Sequence, residues 1–83
     1  MTPLEKVEAL FDELVNHYGE AEDREIRAAT KLLLVAIARL KAQDEHRWKG
    51  LMREYISLAE DDPEKFARVL DGNRSTARDV LLA

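Results

Sequence analysis

Two histidines, His17 and His46, and two serines, Ser57 and Ser75, are the side chains from which a nucleophile–base pair would have to be built. A hydroxyl becomes a nucleophile only when a base lies within hydrogen-bond reach and a third group orients that base. Here the histidines fall on different predicted helices, so the three groups could meet only through tertiary coincidence. The sequence holds no HExxH, no glycine-rich phosphate loop and no GxSxG. The expectation is a protein without catalytic residues and without a cofactor.

Metal chemistry has one foothold. Glu13, His17 and Glu20 are spaced by four and then three residues, which one continuous helix would gather on one side. Gly19 interrupts that helix, and a carboxylate–imidazole group without further ligands is a weak zinc signal. The acidic run Glu60-Asp61-Asp62-Pro63-Glu64 lacks the ligand spacing of a calcium loop. No metal is expected, and the run reads as a polar connection with a helix cap.

Nucleic-acid recognition has two candidate sites. The segment 66-FARVLDGNRSTARDVL-81 has the outline of a helix-turn-helix, a motif in which the second helix opens with the base-reading residues. Those would be Arg74, Ser75, Thr76 and Arg78, within a module spanning residues 62–82. Gly72 sits one place late for such a turn, and Asp71 and Asp79 add negative charge beside the supposed contact. The second site is a basic patch of His46, Arg47, Lys49 and Arg53. Its single aromatic neighbour is Trp48, whereas single strands are held on interleaved aromatic platforms. A net charge of −4 also withholds the cationic excess that supplies non-specific DNA affinity. Nucleic acid is therefore not the expected partner.

These groups must be positioned by few elements, because 83 residues allow one domain, 1–83. Hydrophobic content of 46% suits a folded globule, and 36% charged residues is high. With no cysteine, disulfides and thiolate chemistry are excluded. The start MTPLEKVEAL lacks a basic region followed by an apolar run, so a secretory signal is not expected. The longest apolar run, Leu32 to Ala38, is too short to span a bilayer. A soluble, cytoplasmic protein with no membrane partner is the expectation.

The charge is unevenly placed. Residues 1–25 carry eight acids against Lys6 and Arg24, a net −6. Residues 26–53 carry seven bases against Asp44 and Glu45, a net +5. Such blocks usually pair with one another, within a molecule or across a dimer. An acidic first helix could alternatively mimic nucleic acid and block a basic partner.

Periodicity predicts helices throughout. Thr2-Pro3-Leu4-Glu5 matches a capping box with proline at the first helical position. Leu4, Val7, Leu10, Phe11, Leu14, Val15 and Tyr18 follow as one stripe, which Gly19 can end. A second helix begins near residues 21–23 and runs to about Gln43. At about 100° per residue its greasy centre, KLLLVAIARL, divides into two faces. Ile26, Ala29, Leu33, Ala36, Ile37 and Leu40 form the face predicted to enter the chain's own core. Leu34, Val35 and Ala38, flanked by Arg27 and Lys31, form a second apolar face that needs a cover.

Asp44 is placed to cap a third helix with the stripe Trp48, Leu51, Met52, Tyr55, Ile56 and Ala59. Gly50 lies opposite that stripe and could mark a kink. No glycine or proline separates helices two and three, so one fused helix over about 22–60 in a dimer is an alternative. Asp62-Pro63-Glu64 opens a fourth helix with Phe66, Val69 and Leu70 inward, and Asp71-Gly72 ends it. A short fifth helix would carry Ala77, Val80 and Leu81.

The fold expected is all-α: four helices and a short C-terminal fifth around an apolar second helix. The function expected is a small, acidic, non-catalytic protein-binding module (a regulator, inhibitor or adaptor). It would form a homodimer through Leu34, Val35 and Ala38, with Arg27 and Lys31 at the rim. A helix-turn-helix regulator is the alternative, with the acidic mimic as a third class.

Overall fold

The computed structural model describes residues 1–74, and the predicted fifth helix lies outside them. The described chain is all-α. Four helices follow one another: α1 (Pro3–His17), α2 (Arg24–Gln43), α3 (Trp48–Asp61) and α4 (Pro63–Gly72).

α1 starts where its cap dictates. The Thr2 hydroxyl accepts a hydrogen bond from the Glu5 N–H at 3.1 Å. The Glu5 carboxylate accepts one from the Thr2 N–H at 2.8 Å. Both donors would otherwise be orphaned at the helix start. The exchange holds Thr2 completely buried, and the bond to the backbone N–H of Thr2 draws the Glu5 carboxyl below its ordinary pKa. Gly19 breaks the helix with φ +62°, a conformation that costs glycine little.

α2 has no such start. Asp23 precedes it in the left-handed region (φ 56°), and its side chain makes no capping bond. The Arg24 guanidinium instead donates to the Gly19 carbonyl at 3.0 Å, tying the connection together.

The break between α2 and α3 is polar. Asp44 leaves helical geometry (φ −149°, ψ 85°). Its carboxylate accepts from the Arg47 N–H at 3.0 Å and from the Arg47 guanidinium. Helices two and three are thus separate, and the fused alternative does not occur. Asp44 caps the turn at 45–47 rather than α3 itself, which begins at Trp48. Gly50 lies inside an uninterrupted α3 with open space around it, so it marks no boundary. One residue, Asp62, separates α3 from α4. Its carboxylate accepts from the Lys65 N–H at 3.1 Å, with Pro63 at the first helical position as the sequence required.

The helices pack as two successive hairpins, α1 on α2 and α3 on α4, and α2 meets α3 only sparsely. The tight contact is in the first hairpin, where Val15 is 8% exposed and Ala28 is fully covered. No side chain of α3 is fully buried. Trp48, Met52, Leu58, Phe66 and Leu70 are only half-buried there. The chain exposes 6899 Å², whereas a compact monomer of 9.5 kDa exposes about 5,000 Å². Its radius of gyration is 14.3 Å, against about 12 Å for a compact domain of this length. Among the described residues many large apolar side chains are left exposed.

Candidate functional site

The uncovered surface is concentrated on α2. Leu34 is 63% exposed and Val35 54%. Ala38, Arg27 and Lys31 are exposed beside them. The residues expected to need a cover are therefore uncovered by the described chain.

The face expected to enter the core is largely uncovered too, which corrects the sequence reading. Ile26 is 65% exposed and Leu33 50%, with Ala29 and Ala36 also exposed. Only Ile37 and Leu40 are partly sheltered, towards the α3 end of the helix. What α1 covers instead is the arc through Ala28 and Leu32. The physical reason is the size of Ala28: a methyl side chain lets two helix backbones approach closely, and the large residues then fall to either side. Arg24 precedes this arc and Arg39 follows it, so hydrophobic periodicity could not single it out. The one available signal was the spacing Arg24, Ala28, Leu32, four residues apart each time.

Beside this contact an open groove is lined by Leu10, Glu13, Leu14, His17 and Leu32. Glu13 and His17 share its wall. Glu20 lies beyond the Gly19 turn, and among the described residues no three such side chains come close enough to hold a metal ion.

The basic patch is in place but partly neutralised. His46, Arg47, Lys49 and Arg53 are exposed at the start of α3. Arg47 is paired with Asp44, whose carboxyl it holds below the ordinary range through charge-assisted hydrogen bonds. The Lys49 ammonium lies 5.8 Å from the centre of the Trp48 ring, within cation–π reach.

Arg74, placed by the sequence at the start of a DNA-reading helix, is engaged inside the molecule. It grips Glu8 of α1 in a forked pair, Nε to Oε1 at 2.9 Å and Nη2 to Oε2 at 2.7 Å. Its third donor reaches Asp71 at 2.9 Å. The hydrogen bonds from Arg74 lower the Glu8 carboxyl, and those to Glu8 raise the guanidinium further above its usual value. Sequence reasoning missed this pair, since nothing local links two residues 66 positions apart. Ser75, Thr76 and Arg78 lie outside the described residues. Beside the pair, Leu4, Tyr55, Phe66, Val69, Leu70 and Asn73 line an apolar groove between α1 and the second hairpin.

Among the described residues no helix is long and apolar enough to cross a membrane. No protein-family model matches this chain, and no curated protein or solved structure shows significant similarity to it.

Proposed function

We propose that this chain is a small acidic, non-catalytic protein-binding module, a regulator or adaptor, that self-associates through α2. The observation that carries this reading is the exposure of Ile26, Leu33, Leu34 and Val35 on one helix, each at least half uncovered. Covering a Leu or Ile side chain is worth about 1.5–3 kcal/mol, so two exposed patches, Ile26 with Leu33 on one face of α2 and Leu34 with Val35 on another, are a strong drive to associate. Soluble monomers rarely leave such a patch open. Polar Arg27 and Lys31 lie exposed beside Leu34 and Val35 and are the kind of residue that rims a docking core.

The test is mass in solution. Light scattering at tens of micromolar is expected to give twice the monomer mass, and Ile26→Asp together with Leu33→Asp is expected to lower it. A wild-type chain that remains monomeric over that range removes the reading.

A further inference from the structure

The seam of the α2 surface can be read more finely, resting on the self-association proposed above. Ile26, Leu33 and Leu40 recur every seven residues, and Ala29 and Ala36 recur at the same interval between them. A seven-residue apolar repeat is the pattern of helices that pair along their length. In this repeat the large and small positions alternate, and Ile26, Ala29, Leu33 and Ala36 are the members left exposed.

We infer that two copies of this chain pair through α2 in antiparallel orientation, with Ile26 opposite the partner's Ala36 and Leu33 opposite the partner's Ala29. The occupant of the seam is a second copy for three reasons. The first is shape. In a parallel pair large residues meet large ones and alanines meet alanines, which leaves gaps at the alanine layers. Antiparallel pairing sets every large residue against a small one, so the layers interdigitate at even spacing.

The second reason is charge. Glu25 near the start of α2 and Arg39 near its end lie on the same flank of the seam. The register that matches Ile26 with the partner's Ala36 also brings Glu25 alongside the partner's Arg39, offset by two residues or about 3 Å along the axis, twice by symmetry. Antiparallel helix dipoles add to the same preference. Among the described residues Glu25 meets the exposed Arg24 guanidinium, at 3.4 Å, whose Nη1 also donates to the Gly19 carbonyl; an exposed pair of this kind contributes little and can be exchanged.

The third reason is area. The chain's 6899 Å² of surface is roughly 1,900 Å² above a compact monomer of its size. A stable complex needs about 800 Å² from each partner, and part of this excess lies on α2, where Ile26 and Leu33 are at least half exposed.

The absence of cysteine makes the orientation directly testable. Ile26→Cys and Ala36→Cys chains, both changed at exposed positions, are mixed and oxidised. The mixed disulfide is expected as the dominant product, with little Ile26→Cys chain joined to itself. Dominance of the Ile26→Cys self-linked product in a chain that is dimeric by mass overturns the antiparallel orientation while leaving self-association intact. A chain that is monomeric by mass removes both. In the second arm, Glu25→Arg and Arg39→Glu are each expected to weaken the dimer about fivefold, and the double reversal to restore it. Failure of the double variant to recover overturns the register.

Discussion

The two hairpins are built from similar parts and end differently. In α1/α2, a buried valine meets a fully covered alanine, and the helices lock. In α3/α4, aromatic and aliphatic residues of larger volume, Trp48, Met52 and Phe66, reach only half-burial. The difference teaches that volume does not make a core. A small residue at the crossing is closed over completely, whereas the larger side chains of the second hairpin keep part of their surface in solvent.

That contrast can be broken most forcefully at Ala28. Ala28→Leu is expected to destabilise the chain by about 1–3 kcal/mol through overpacking. The same change at exposed Ala59 in α3 is expected to shift stability by under about 0.5 kcal/mol. Urea unfolding monitored by Trp48 fluorescence measures both. Equal costs would mean that the first hairpin is no tighter than the second.

Glycine substitutions sharpen the contrast with opposite signs. Gly50→Ala in α3 meets open space in an ordinary helical conformation and should add about 1 kcal/mol. Gly19→Ala, in the connection of the first hairpin at φ +62°, should cost about 1 kcal/mol. Paired thermal melts read the two directions. Thr2→Ala removes a buried cap and should also cost about 1 kcal/mol. Asp62→Ala, which loses a more exposed cap in the second hairpin, should cost no more than Thr2→Ala.

The smallest expected effect concerns the Glu8–Arg74 pair that joins the hairpins. The Glu8 carboxyl is lower in the folded chain than in the unfolded one. Its contribution is therefore complete above the ordinary carboxylate range and fades as pH falls through the lowered folded value. Glu8→Gln and Arg74→Ala should each flatten the acid limb of a stability–pH curve measured by denaturant midpoint. An unchanged acid limb in both variants would assign the pair no part in stability.

Helix boundaries were the most legible feature of the sequence, because caps are local chemistry. Thr2-Pro3 with Glu5, and Asp62-Pro63, mark the starts of α1 and α4 by hydrogen bonds spanning three residues. The α2–α3 break was less legible, since Asp44 and Arg47 do the work of a glycine or proline. The exposed apolar set on α2 was half legible. Helical angle grouped Leu34, Val35 and Ala38, which the described residues leave exposed. It could not say which arc α1 would choose, because periodicity reports which residues share a side and not which side meets a neighbour. The choice rested on Ala28, the least conspicuous residue of the helix. Arg74 was illegible for a different reason, as its partner lies on another helix far along the chain.

The hairpin-after-hairpin arrangement has a kinetic consequence. Among the described residues the helix–helix contacts join elements adjacent along the chain, so little loop-closure entropy opposes each step. Chains with such local contacts fold in microseconds to milliseconds. The closure of a long loop by Glu8 and Arg74 can wait until both hairpins exist. Substitutions in that pair should therefore speed unfolding and leave the folding rate nearly untouched, while Ala28→Leu slows folding itself.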